Sequence, residues 1–329
     1  MLKHAITTIA WLAGAGFVAS VGVFIAAPAI AAPAAPANGA ADRGAAKVTR
    51  AETLIIARIS NDPRKQLKKI RYLGKYLTAR LSDVGIKKIR GIVVPNKRRL
   101  QMLLRQGKAD IFSESPLTSL WLRDHAGSKP FLREWKNNVA SYHSVFMARR
   151  DSGIKSFGDL LGKVIAFEDE GSTSGFLLPY AVLTRAGFKL VKLDSPRAPV
   201  PAGTIGYAFA QGELNIVTWV HRKWVAVGIF ANTDWQDVRR SPGPIKNDLI
   251  VFSKTPPLLR SIMNVRKDLN QRVQDKVRTL LLKIHKDSAG KIAAKKYNKI
   301  TKFELIGEES AEAIKEAEQI SRLLSSAGF

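Results

Sequence analysis

From residue 53 onward the chain alternates short apolar runs with amphipathic stretches, and this rhythm limits its possible folds more than any other feature. Thr53–Ile59 (TLIIARI) is an apolar run of strand length. The turn Ser60-Asn61-Asp62-Pro63 follows, and Pro63 suits the first position of a helix. In that helix Leu67, Ile70, Leu73, Tyr76 and Leu77 share the inward face, with Lys and Arg outward. A second strand, Ile89–Val94, leads to a helix around 97–106. A short strand, Ala109–Phe112, then runs into Ser113-Glu114-Ser115-Pro116 and another helix start. Strand–helix alternation of this kind predicts βαβ units, hence parallel sheets with helices on their faces.

The pattern then repeats. Strands are expected at Tyr142–Arg149 and Lys163–Phe167, with a short helix at Phe157–Leu161 between them. Gly171-Ser172-Thr173-Ser174-Gly175 opens a helix running to about Ala186. The Pro/Gly-rich segment 195–206 reads as loop, followed by a helix at 210–223 and strands at Val225–Phe230 and Leu249–Phe252. Helices are expected at 268–286, 288–297 and 308–326, with Ser310 and Gly328 as end signals of the last. The expected fold is therefore α/β twice over, and the crevice between two such units is a favoured ligand position.

With 329 residues, 46% of them hydrophobic, the chain has material for two cored domains. It has no cysteine, which excludes disulfides, thiolate metal sites and thiol catalysis. Lys3 precedes an apolar run, Ala5 to Ile30, that ends in Ala29-Ile30-Ala31, a small-x-small pattern. Residues 1–31 thus read as a signal peptide cleaved after Ala31; an uncleaved anchor is the competing reading, because the run is long enough to span a bilayer. No cysteine follows for a lipid anchor. Residues 32–49, rich in Ala, Pro and Gly, read as a flexible linker. The formal charge is +26. A generally basic solvated surface accounts for it, and an anionic ligand is consistent with it. For an exported chain no nucleic-acid partner is expected, although a charge-driven nucleic-acid binder would show a steep salt slope. The five histidines have no metal spacing, no cofactor motif is present, and Ser172 has no histidine near it in sequence to serve as a hydrolase base. Neither an enzyme nor a metal site is expected.

Two strand-to-helix junctions carry the chemistry. A helix start offers unpaired N–H groups and about half a positive charge. At the first junction Ser172, Thr173 and Ser174 add three hydroxyls between glycines, an anion cradle built without lysine; an ordinary N-cap explains one hydroxyl but not three. At the second, Ser115 and Thr118 are placed to donate to the same ligand from an opposite wall. Glu114 beside them either faces an amine on the ligand or is a helix-start acid favoured by the dipole.

The run Ser152-Gly-Ile-Lys-Ser-Phe-Gly-Asp-Leu-Leu-Gly-Lys-Val-Ile-Ala-Phe167, continuing through Glu168-Asp-Glu to Gly171-Ser-Thr-Ser-Gly175, resembles the phosphate/phosphite/phosphonate-binding proteins of ABC transporters. Ser141–Phe146 is similar to that family's first hinge strand, and Thr255-Pro-Pro257 with Val265–Leu269 to its second crossing. The resemblance implies a type II periplasmic binding protein, two α/β lobes joined by two hinge strands. Lobe one would comprise 50–143 and 260–329, and lobe two 144–259. It implies a monomeric periplasmic receptor without cofactor, which closes on a phosphonate- or phosphate-like oxyanion and passes it to an inner-membrane ABC permease. A sensory module for a membrane kinase, or a binder of an unrelated small polar acid, are the alternatives. The resemblance assigns ligand contacts to Ser172, Thr173, Ser174 and the hinge Tyr142, for which core packing is the other reading. It also points to Asn232, alternatively a simple turn residue. Family members often carry a histidine before the helix at 210–223; here residues 204–214 have none, and Tyr207 is the nearest polar substitute. Ser60 and Asn61 fall at the expected cleft rim.

Overall fold

The computed structural model describes residues 49–329. The expected signal peptide and all of the linker except Thr49 lie outside the described residues. Strand β1 (Thr53–Ile59) feeds α1 (Pro63–Thr78), whose N-terminus is capped by Asp62 accepting from Lys65 N, with Pro63 in the first turn. β2 (Lys88–Val94), α2 (Lys97–Arg105), β3 (Ile111–Glu114), α3 (Pro116–Ala126) and β4 (Lys129–Lys136) follow. After a short hinge strand, β5 (Ser141–Tyr142), come β6 (Ser144–Arg149), β7 (Val164–Phe167), α4 (Leu178–Arg185), β8 (Leu190–Lys192), β9 (Ile205–Phe209), α5 (Glu213–His221) and β10 (Val227–Ala231). Two short helices, α6 (Asn232–Gln236) and α7 (Gly243–Lys246), lead to β11 (Leu249–Lys254). The chain returns through β12 (Leu258–Leu259) to β13 (Ile262–Val265), α8 (Gln271–Lys283), α9 (Ser288–Asn298), β14 (Ile300–Glu304) and α10 (Ala311–Ser326).

Two sheets of six strands result, in the orders β14-β4-β13-β3-β1-β2 and β11-β6-β10-β7-β9-β8. In the first, β1 runs parallel to β2 and β3, while β13, β4 and β14 add antiparallel strands. In the second, β7 lies parallel between β10 and β9, and β6 is antiparallel to β10 and β11. Both sheets have helices on their faces and apolar cores beneath them. One core joins Leu54, Ile56, Leu73 and Leu77 to Tyr297 and Phe303; another joins Phe146, Ile165, Phe167, Phe176 and Ile229.

β5 pairs antiparallel with β12, Tyr142 opposite Leu258, so the two crossings run side by side as a small hinge ribbon. The second crossing is therefore at 255–259. Val265, which resembled part of it, lies inside the first sheet opposite Ile111. A third apolar cluster spans the lobes: Leu117 and Leu120 of α3, Leu178 and Ala181 of α4, and Ala317, Ile320 and Leu324 of α10. Glu318 of α10 pairs with Arg123 on α3, and Glu316 with Arg185 on α4, so one helix is tied to both lobes.

Several strands were not expected. β13 and β14 return to the first sheet from distant parts of the chain, and β4, which follows α3 directly, finds its partners only in them. β9 begins in the last two residues of the segment read as loop and runs on to Phe209, and β3 begins two residues later than expected. Gly206 hides β9: a Cβ there would lie 2.6 Å from Leu193 and 2.9 Å from Val200, so the strand carries a glycine where it packs most closely.

Candidate functional site

Two helix starts, one from each lobe, meet beside the hinge ribbon. In lobe one, α3 begins at Ser115, an extended residue whose Oγ accepts from Thr118 N at 3.4 Å and donates to Thr118 Oγ1 at 3.3 Å. In lobe two, the chain leaves β7 and enters a π-type turn over Thr173–Leu177 that continues into α4. Ser172 caps that turn, its Oγ accepting from Gly175 N at 2.9 Å. The two starts touch: Thr173 Oγ1 donates to Ser115 Oγ across the lobes at 2.8 Å. Thr173 and Ser174 are nearly buried, at 7% and 9% exposure. Their own N–H groups lie in the first turn, where no intrahelical acceptor exists.

The hinge is fastened to this loop. Ser144 Oγ donates to the carbonyl of Ser174 at 2.7 Å, and Ser144 and Thr255 exchange hydrogen bonds between the crossings. Tyr142 is buried beside Thr173, and burial raises its phenol above the ordinary range. The Arg260 guanidinium lies 4.6 Å from the centre of its ring. Asn232 clasps the first crossing: its Oδ1 accepts from His143 N at 3.1 Å and its own N–H donates to His143 O at 2.9 Å.

Acids flank the loop on both sides, which the sequence reading weighed only at Glu114. Ser172 Oγ donates to Glu168 Oε2 at 2.6 Å. Burial raises Glu168 to about 7; the bond from Ser172 opposes the shift, and Glu213, Asp169 and Asp234 add to it. Gly175 is required for this contact, since a Cβ there would lie 2.5 Å from Glu168 Cβ and 2.6 Å from its Oε2. Its role is close packing against a carboxyl inside the loop. Glu114, the last residue of β3, is also raised to about 7 by burial, against the pull of Arg58 and of the Ile59 and Ser115 N–H groups.

Arg58, at the carboxyl end of β1, escaped the sequence reading altogether. Its Nε and Nη1 are buried without a partner, and Nη2 reaches Asn298 Oδ1 at 3.4 Å. Behind it Ser113 Oγ donates to the fully buried Glu134 at 2.6 Å and meets Tyr297 Oη at 3.0 Å. Only the strand order places this cation beside Glu114; no local signal does so.

The structure therefore brings Ser115, Thr118, Ser172, Thr173, Ser174, Tyr142 and Glu114 together around one junction. Asn232 adjoins it as the hinge clasp. Tyr207 sits apart from the junction, within an aromatic cluster of lobe two whose ring centres lie 5.4 Å (Phe167) and 5.7 Å (Phe176) away. Ser60 Oγ accepts from Asp62 N in the turn after β1, and Asn61 is exposed there. A groove of about 590 Å³ on lobe two adjoins the loop at Asp169–Gly171 and runs past Lys192, Phe209 and Trp219.

A family model described as ABC transporter, phosphonate, periplasmic substrate-binding protein matches residues 55–310. The chain belongs to that family. Among solved structures, XAC2383 from Xanthomonas citri, bound to chloride in one structure, is 29% identical with a TM-score of 0.78 over 84% of this chain and 99% of that one. The same protein bound to ATP gives 29% and 0.77 over 83% and 98%. PhnD1 from Prochlorococcus marinus in complex with methylphosphonate is 18% identical with a TM-score of 0.60 over 84% and 99%, a likeness of fold. The fold of this phosphonate-binding-family chain is that of a type II periplasmic binding protein. A 96-residue stretch is 31% identical to the tetrathionate sensor histidine kinase TtrS of Salmonella typhimurium; it covers 28% of this chain and 16% of the kinase's length.

Proposed function

We propose that this protein is the periplasmic receptor of an ABC importer and binds a small phosphonate- or phosphate-like oxyanion where its two lobes meet. The observation that carries the reading is the Thr173–Ser115 contact of 2.8 Å, which sets a helix start from each lobe face to face. Two such starts direct N–H groups and partial positive charge at one point, and the hydroxyls of Ser115, Thr173 and Ser174 are at hand to hydrogen-bond oxyanion oxygens. In this reading lobe one comprises 50–143 and 260–329, and lobe two 144–259. A ligand that touches both stabilises the closed form by its differential contacts with it. The permease reads that closed form, and no covalent chemistry is involved. Residues 1–31 serve as the export signal, and the receptor acts as a monomer.

Glu114 and Glu168 bear on ligand choice. Carboxyls beside an anion are tolerated when they are neutral or when the ligand also carries an amine, so an aminoalkylphosphonate fits this junction as well as a simple phosphonate does. A thermal-shift panel of methylphosphonate, an aminoalkylphosphonate, phosphate, phosphite, ATP and chloride tests the reading. A ligand at a hundred times its dissociation constant adds about 2.7 kcal/mol of stability. Thr173→Ala is expected to abolish the shift while the unliganded protein stays folded; an undiminished shift in that variant refutes the site. The stretch shared with TtrS favours a second reading, in which the same lobes present their ligand to a membrane kinase. A permease gene beside this one supports transport, and a kinase gene supports sensing.

A further inference from the structure

We propose that the free edge of the lobe-one sheet is a docking face for an anionic lipid surface. The positive charge of this protein is not spread evenly. Residues 63–108 hold fifteen Lys and Arg against one acid, Asp83, so more than half of the formal +26 falls within 46 residues. The fold gathers this stretch in one place. β2 is the edge strand of its sheet, with α1 packed against it on one side and α2 against it on the other. Arg64, Lys68, Arg71 and Lys75 on α1, Lys88 and Arg90 on β2, and Arg98 and Arg99 on α2 are all exposed. None of these eight has an ion-pair partner among the described residues. The cations of this stretch that do pair, Lys87 with Glu52 and Arg80 with Asp287, lie in the connection between α1 and β2, beside the start of α9 and the residue before β1.

Apolar surface is interleaved with the charge. Leu67 on α1 and Met102 on α2 are 39% and 47% exposed. A groove of about 510 Å³ between α1 and β2 is lined by Leu67, Ile70, Gly74 and Ile89, with Arg71 and Lys75 beside them. Cations bordering exposed aliphatic groups suit a headgroup layer, where charge meets phosphate and short apolar side chains meet the acyl boundary. Nucleic acid is the poorer fit, because sequence-tolerant binding of single strands needs exposed rings on which bases stack. The two aromatic residues of the stretch offer little free ring: Tyr76 is buried with the Arg80 guanidinium 4.1 Å from its ring, and Tyr72 is half-buried with Lys296 Nζ 4.8 Å from its ring. The inference is independent of which anion occupies the junction between the lobes.

Co-sedimentation of the full chain with vesicles tests it, using phosphatidylcholine alone and phosphatidylcholine containing phosphatidylglycerol. Any contribution from the N-terminal apolar run appears with both compositions and is subtracted. The expected result is partitioning that requires phosphatidylglycerol and is lost as salt rises from ~0.05 to ~0.5 M. Lys68→Glu/Arg71→Glu/Lys75→Glu should lower the partition coefficient at least on the order of 100-fold, from the typical worth of a cation near such a surface. Arg98→Glu/Arg99→Glu on α2 should act in the same direction. A control with the same charge change on lobe two, Lys155→Glu/Lys163→Glu/Lys189→Glu, should retain most of the binding. All variants should keep wild-type melting and methylphosphonate affinity. Equal loss in patch and control variants would overturn the proposal in favour of net charge. Binding to duplex DNA without binding to phosphatidylglycerol would overturn it in favour of nucleic acid.

Discussion

Glu168→Gln is the sharpest probe of the loop. Glu168 accepts the Ser172 hydroxyl at 2.6 Å and is raised to about 7 by burial and neighbouring acids. A glutamine keeps the shape and an acceptor oxygen for Ser172 but cannot ionise. If the oxyanion binds only when Glu168 is neutral, ionisation at pH 8 costs the wild type RT ln(1 + 10), about 1.4 kcal/mol or roughly elevenfold in affinity; at pH 6 it costs only about 0.06 kcal/mol. Titration calorimetry with methylphosphonate at pH 6, 7 and 8 measures both proteins, and the ratio of their dissociation constants cancels the protonation of the ligand itself. The ratio of wild type to variant should rise about tenfold from pH 6 to pH 8. The wild type should also take up a proton on binding at pH 8, seen as a dependence of the heat on buffer ionisation enthalpy, and the variant should take up less. A ratio that stays flat across this range refutes the coupling between Glu168 and the anion.

Other outcomes follow from the same geometry. Glu114 and Glu168 are both raised from 4.5 to about 7. The stability they confer is fully present below their unfolded value and is lost as pH rises through 7, so the unliganded protein should be less stable at pH 8 than at pH 5.5, by about 2 kcal/mol per carboxyl in equilibrium unfolding. Ser115→Ala removes the α3 cap and the acceptor of the Thr173 bond; about 1 kcal/mol of stability should be lost in urea unfolding together with most of the methylphosphonate affinity. Gly175→Ala forces a methyl within 2.6 Å of Glu168 Oε2, and both binding and melting temperature should fall, the stability by about 1–3 kcal/mol. Asn232→Ala leaves His143 N without its side-chain acceptor and should cost about 1–3 kcal/mol, with a smaller effect on affinity than Thr173→Ala.

Much of this architecture is legible where local signals and tertiary packing agree. β1 and α1 lie where apolar spacing, Asp62 and Pro63 place them, because one continuous stretch supplies both the element and its cap. Ser115, Thr118, Ser172, Thr173 and Ser174 could be read together because each is a hydroxyl at a helix start. Strands whose partners lie far away in the chain could not. β4 carries Lys129, Arg133, Glu134 and Lys136 among its apolar residues, and Glu134 is fully buried only because Ser113 arrives beside it from β3 and Tyr297 completes the cluster from α9. Arg58 and Glu168 were hidden for the same reason. An arginine in a strand and one acid among Glu168-Asp169-Glu170 read as solvated charge until the fold surrounds them. Asn232 shows the converse: a residue read as a ligand contact, or else as a turn residue, has its side chain engaged by the backbone of the hinge.

The account stands on where the anion sits. A crystal structure grown with methylphosphonate should show the ligand between the starts of α3 and the Thr173–Leu177 turn, its oxygens within hydrogen-bond reach of the Thr173 and Ser174 N–H groups and of the Ser115 hydroxyl. A ligand found instead in the groove past Lys192 and Trp219, with the Thr173–Ser115 hydrogen bond undisturbed, would contradict it.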